Sequence, residues 1–291
     1  MIPPAFDQIL EDGRSCAVRV VVPPGLMPAH GWSVAYVLDL KQFDMMRADP
    51  GGLPGLLVGL EPGVPEDRRW DYVPAGMSPD MGQSLRTAPC QTNPNRLQAV
   101  RWADGRGADD AGEVPPGLRS GAARWLRVLD RVRARIAGDW RLDPRRQILC
   151  GHSLGALFAL YVLTHRPCAF DGYVLSSPSV WWGGRYAGRL LRRRRPWLCA
   201  RGVPALGVRL TVGEYEQGLA PEECGLGLDE ARRARLLAVR RSRAMVDGMR
   251  ELAGELVRCP DLRLDAAVLP GHTHRTAPLA ALMPGWRWLL A

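Results

Sequence analysis

Gln147-Ile148-Leu149-Cys150-Gly151-His152-Ser153-Leu154-Gly155-Ala156 is the stretch whose reading decides the fold. A short apolar run ends at Cys150, a G-x-S-x-G element follows without a spacer, and small and apolar residues continue to Leu163. That is the strand, sharp turn and helix that a nucleophile elbow requires. A serine in such a turn projects its hydroxyl above the sheet, and glycines at 151 and 155 remove side chains that would strike strand and helix. The new helix aims its free N–H groups at the same place, so the backbone N–H of Leu154 is a natural donor to a developing oxyanion.

Working outward, Gln147 to Cys150 reads as a strand, Leu154 to Leu163 as a helix and Gly172 to Leu175 as a strand, the alternation of a parallel sheet. Cys16 to Val22, Ser33 to Leu40 and Gly55 to Leu60 are β-branched or apolar runs bounded by Pro or Gly, and lack of clean alternation marks them as strands buried on both faces. Leu206 to Val212 and Leu262 to Leu269 supply two more, separated by a long charged helix from about Leu228 to Val257. Trp125, Val128, Leu129, Val132 and Ile136 recur at helical spacing within Ala122 to Trp140, and Pro278 to Leu290 closes the chain as a helix. The stretch 75–120 is rich in Gly, Pro, Asp, Asn and Ser and reads as a loop-rich insert or partial lid.

Composition bounds the rest. The chain has 291 residues, 46% hydrophobic and 24% charged, the make-up of a globular protein with a substantial core. We expect one domain over 1–291. Apolar runs such as Leu53 to Leu60 fall far short of the roughly 20 residues of a membrane helix, and Met1 to Arg14 lacks the basic and apolar pattern of a secretory signal. A cytoplasmic location is the expectation. The seven cysteines show no C-x-x-C pairing, which indicates neither a disulfide framework nor a zinc site, and Cys150 reads as a reduced core residue. The 39 bases exceed the 30 acids to give +9, and Lys41 is the only lysine, so the excess is arginine suited to solvated faces or to anionic partners.

A serine at its ordinary pKa needs a base, most often a histidine held by a carboxylate. Five histidines are available. His152 is expected to point away from the attack face, and His30 and His165 read as surface or packing residues. His272 and His274 follow a strand late in the chain, which fits the Ser, acid, His order of α/β-hydrolases. Between them, Gly213-Glu214-Tyr215-Glu216 places two carboxylates just past a strand end, where catalytic groups gather, so the acid is Glu214 or Glu216. Metal binding by the two histidines has no supporting Cys or H-E-x-x-H pattern.

Together these motifs resemble the esterase D-like group of α/β-hydrolases. The resemblance rests on Gly-His-Ser-Leu-Gly at 151–155, Ser177-Pro178-Ser179-Val180-Trp181-Trp182, Val212-Gly213-Glu214-Tyr215-Glu216 and the His274-x-Thr276-x-Pro278 run. Arg68-Arg69-Trp70-Asp71-Tyr72-Val73-Pro74 and Tyr36-Val37-Leu38-Asp39 are also similar to segments of that group. It covers about Val18 to Leu290 apart from the insert. Within the group, the sequence most resembles bacterial siderophore esterases that open enterobactin-type trilactones. The resemblance implies an α/β-hydrolase fold with a mostly parallel central sheet and helices on both faces. It implies Ser153 as nucleophile, His274 as base with His272 as fallback, and Glu216 as acid. The backbone N–H of Lys41 would be a second oxyanion donor, although Leu40 stands where the group has glycine, and Ala156 replaces its second glycine after the serine.

The expected activity is therefore a serine carboxylesterase working through an acyl-enzyme, without a cofactor, on a small-molecule ester such as a catecholate or ferric siderophore. Arg68, Trp181 and Trp182 are candidates for holding that anionic aromatic substrate. An esterase or acyltransferase for another small acyl ester would use the same residues. An Arg-rich binding protein for an anionic partner is the non-enzymatic alternative, but no nucleic-acid motif is present.

Overall fold

The computed structural model describes residues 5–9, 15–63, 71–73, 121–198, 206–225 and 229–291. The expected insert at 75–120 and Arg68 lie outside them. The strands are β1 (Ala5–Ile9), β2 (Ser15–Val21), β3 (Trp32–Leu38), β4 (Leu56–Pro62), β5 (Leu142–His152), β6 (Gly172–Ser176), β7 (Leu206–Gly213) and β8 (Leu262–Leu269). They form one sheet in the order β1-β2-β4-β3-β5-β6-β7-β8. β1 and β2 run antiparallel, as do β2 and β4, and every other neighbour is parallel. This is the α/β-hydrolase architecture expected from the elbow.

The helices are α1 (Leu40–Arg47), α2 (Ala122–Asp139), α3 (Leu154–His165), α4 (Trp182–Leu198), α5 (Pro221–Gly225), α6 (Glu230–Arg243), α7 (Met245–Leu256) and α8 (Ala277–Leu290). β3 shows how they cover both faces of the sheet. Val34, Tyr36 and Leu38 join the core containing α2, α3 and α7 residues, whereas Ala35 and Val37 join the core with Phe43 and Met46 of α1 and Leu282 and Trp286 of α8. Successive strand side chains point to opposite faces, so a strand with two covered faces is apolar throughout. β2 instead alternates buried and half-buried positions. α3 is apolar all round, and nine of its residues are buried, as a helix packed on every side must be.

The single helix expected over Leu228 to Val257 is two. Ala244 takes a left-handed conformation (φ 46°, ψ 49°) between α6 and α7. Gln217 holds the break, because its Oε1 accepts the N–H groups of Val246 and Asp247 at 3.1 Å each. The two halves differ in character: no residue of α6 is buried, whereas α7 buries Met245, Val246, Met249, Leu252 and Leu256. α4 packs on α7 through Arg185 and Arg192 with Glu251, and through Arg195 with Glu255.

Tyr72 of the Arg68–Pro74 segment is fully buried, stacked on Phe158 and edge-on to Trp125. Its neighbour Asp71 pairs with Arg124 of α2. Cys16 and Cys150 are buried thiols outside any disulfide, as a reduced core residue requires. Cys168 and Cys259, however, are disulfide-bonded, contrary to the expectation of no disulfides. Such bonds are rare in reducing compartments. Among the described residues no helix is long and apolar enough to cross a membrane.

Candidate active site

The site lies at the carboxyl ends of β3, β5, β6, β7 and β8, where parallel sheets gather their functional side chains. Ser153 joins β5 to α3 at φ 58° and ψ −116°, a backbone region that costs a residue with a side chain roughly 1–3 kcal/mol and persists only when its surroundings enforce it. The surroundings are specific. A Cβ at position 151 would come within 2.5 Å of the Gly155 backbone, and one at 155 would lie 3.1 Å from Cβ of Leu38. Both glycines are therefore set by close approach of chain to chain.

The same approach brings the start of α1 beside the start of α3. Asp39 precedes α1 at φ 84° and ψ 132°, so the strain falls one residue before the position where the resembling group has glycine, and Leu40 is already helical. Leu154 and Lys41 each lie in the first turn of their helix, where N–H groups have no intrahelical acceptor.

Ser153 Oγ is 3.0 Å from Nε2 of His274, and Nδ1 of His274 is 2.6 Å from Oε2 of Glu216. Glu216 can only accept, so Nδ1 carries the proton and Nε2 is free to accept the Ser153 hydroxyl. Glu216 is fixed in turn. Its Oε1 accepts the N–H of Gly213 at 2.8 Å and the hydroxyl of Ser177 at 2.5 Å, and its side chain is 1% exposed. The one-turn 3₁₀ helix Glu214–Glu216 after β7 turns Glu216 inward.

Glu214 serves differently, accepting the N–H of Gly271 at 2.7 Å and so bracing the loop that carries the late histidines. His272 Nδ1 lies 3.2 Å from the Thr276 hydroxyl, and its carbonyl accepts the N–H of Tyr215. Of the two candidate acids and two candidate bases, Glu216 and His274 are the pair brought to Ser153.

Three residues of the site carried no role in the sequence reading. Ser179 places its Oγ 3.2 Å from that of Ser153 and donates its N–H to the Ser153 carbonyl. Ser177, at φ 47° before Pro178, holds Glu216 as described. Both belong to the Ser177–Trp182 motif after β6, and a strand's carboxyl end was the signal. The third is His152. Its ring centre lies 4.5 Å from that of His274, with Nδ1 3.1 Å from the Ser176 hydroxyl, so the elbow's own histidine packs against the other ring. Trp181 and Trp182 sit half-buried beside the site with ring centres 5.3 Å apart. His30 is exposed, and His165 packs on Tyr161 at the end of α3. Among the described residues no group of three or more His, Cys, Asp or Glu is placed to hold a metal ion.

Known proteins are similar across this framework. The chain is 25% identical over 219 residues to the ferri-bacillibactin esterase BesA of Bacillus subtilis, covering 71% of this chain and 68% of that protein. It is 32% identical over 155 residues to a siderophore enterobactin esterase of Emericella nidulans, covering 50% of this chain and 48% of the other. The BES protein of Bacillus cereus superposes with a TM-score of 0.69 at 22% identity, covering 99% of this chain and 96% of that one, a likeness of fold. Residues 99–250, more than half of the chain and including the elbow, match the family model described as serine aminopeptidase, S33. The chain therefore belongs to the serine aminopeptidase S33 family of hydrolases.

Proposed function

We propose that this protein is a serine carboxylesterase that hydrolyses the ester bonds of a catecholate trilactone siderophore, free or iron-loaded. The observation that carries the chemistry is the unbroken chain from Ser153 Oγ through both nitrogens of His274 to the buried Glu216. Ser153 attacks the ester carbonyl while Nε2 of His274 takes its proton. The tetrahedral oxyanion is held by the N–H of Leu154 and by an N–H at the start of α1, for which Lys41 is our assignment. His274 then returns the proton to the leaving alcohol, water is activated by the same nitrogen, and the acyl group leaves as an acid. Glu216 keeps the imidazole in the right tautomer and stabilises the imidazolium.

The substrate class rests on the activities named for the Bacillus subtilis and Emericella nidulans relatives. It agrees with an arginine-rich chain carrying +9, since a catecholate siderophore is anionic. The iron is cargo of the substrate in this reading. The test is mass spectrometry of products after incubating wild type and Ser153→Ala with apo and ferric forms of a catecholate trilactone. Stepwise addition of water by wild type alone is expected. Hydrolysis of simple esters with both trilactone forms intact would refute the substrate while leaving the esterase.

A further inference from the structure

We propose that Arg243 and Trp181 together form a subsite at the rim of the active site that takes an ionised aromatic ring of the substrate. This deepens the esterase reading and rests on it. The guanidinium carbon of Arg243 lies 4.8 Å from the centre of the Trp181 ring, in cation–π contact. Trp181 is two residues from Ser179, so its Cα is no more than about 7.6 Å from that of Ser179. The Ser179 hydroxyl in turn lies 3.2 Å from the Ser153 hydroxyl. The Ser179–Trp181 stretch thus links Arg243 to the neighbourhood of Ser153.

Its placement is enforced from two directions. The preceding turn of α6 is clamped by Arg240, which reaches both oxygens of Glu223 at 2.5 and 2.6 Å and the carbonyl of Gly218 at 2.7 Å. That contact holds the Glu223 carboxyl below its ordinary range. The following turn is fixed by Gln217, neighbour of Glu216, at the start of α7. The segment that supplies the acid therefore also positions Arg243.

Charge sets Arg243 apart from the ion-paired arginines of α4 and from Arg240 of its own helix. Arg185 and Arg192 are paired with Glu251, Arg195 with Glu255 and Arg240 with Glu223. Among the described residues no carboxylate lies within ion-pair distance of Arg243, which is exposed. A planar cation with an unneutralised charge, preoriented on an aromatic face, fits a ligand that is itself planar and anionic. A catecholate or ionised aryl acyl group has that chemistry.

The experiment is calorimetric titration of 2,3-dihydroxybenzoate, with neutral benzyl alcohol as control, into wild type, Arg243→Gln, Arg243→Lys and Trp181→Leu. Each protein is assayed in parallel for hydrolysis of p-nitrophenyl acetate. Wild type is expected to bind the anion in preference to the alcohol. Arg243→Gln should weaken that binding about tenfold, and Arg243→Lys less, because an ammonium keeps the charge but loses the planar face. Trp181→Leu should weaken that binding as well, and in all three variants kcat/KM for the neutral ester, whose ring carries no charge, should fall much less than the affinity for the anion. Equal affinity in wild type and Arg243→Gln, no binding by wild type, or an equal loss on the neutral ester would each overturn the subsite. Failure of wild type to hydrolyse any ester would instead overturn the esterase reading.

Discussion

Glutamine at position 216 removes one charge and keeps the length of the side chain, which isolates the work of the carboxylate. Both supporting donors, Gly213 N–H and the Ser177 hydroxyl, go to Oε1, so the amide oxygen of glutamine can take that place. The NH₂ group then faces Nδ1 of His274, donor against donor, and the imidazole is driven to the tautomer with its proton on Nε2. That tautomer cannot accept from Ser153. The charge adds to this. An imidazolium and a carboxylate with centres about 4 Å apart attract by about 4 kcal/mol at an effective dielectric constant of about 20. The His274 side chain is 45% exposed, so solvent screens part of that attraction. About 2 to 4 kcal/mol remains, a loss of about thirty- to a thousandfold in rate. The assay is kcat/KM for p-nitrophenyl acetate near neutral pH, with circular dichroism to show the fold intact. A well-folded Glu216→Gln with a rate within about threefold of wild type would refute the reasoning, leaving Ser153 and His274 to act as a pair.

Ser177→Ala should lower kcat/KM about tenfold, because a hydrogen bond to a buried charged group is worth roughly 1.5–3 kcal/mol and its loss lets Glu216 drift from His274; an unchanged rate would remove Ser177 from the positioning scheme. Gly151→Ala should destabilise by about 3 kcal/mol in chemical denaturation, since its Cβ meets backbone that cannot yield, and a neutral result would mean the elbow can relax. Burial pushes His165 down to about 4 from 6.5, with Arg194 and Arg166 adding to the shift. The unfolded chain then takes up a proton between about pH 6.5 and 4 that the folded chain refuses, so stability falls as pH drops through that window. His165→Gln should flatten that part of the stability profile, and an identical slope would show that His165 does not titrate there.

The elbow made the fold legible because it is local: strand, turn and helix are adjacent in sequence, and their residue types answer steric needs within a few positions. The strand at Leu262–Leu269 is legible to the residue. Chain order narrows the acid to Glu214 or Glu216 and the base to His272 or His274, and the family resemblance implies Glu216 and His274. What escaped depends on distant parts of the chain. Ala244 carries no signal for a left-handed turn, because the break is held by Gln217 from another element. α4 was hidden by Gly183 and Gly184, by an arginine run and by Pro196, all poor helix signals. α1 begins at a strained Asp39 that only its packing beside α3 explains. The packing of the His152 ring depends on His274, 122 positions later in the sequence though adjacent in space. The cysteines that are bonded, Cys168 and Cys259, show no spacing that suggests it.

The central claim is that Ser153 is a nucleophile activated by His274. It is tested most directly by treating the protein with a fluorophosphonate and locating the adduct by peptide mass spectrometry. The account predicts one adduct, on Ser153, absent from Ser153→Ala and formed much more slowly in His274→Ala. An unlabelled wild type, an adduct on another residue, or labelling of His274→Ala at the wild-type rate would contradict it.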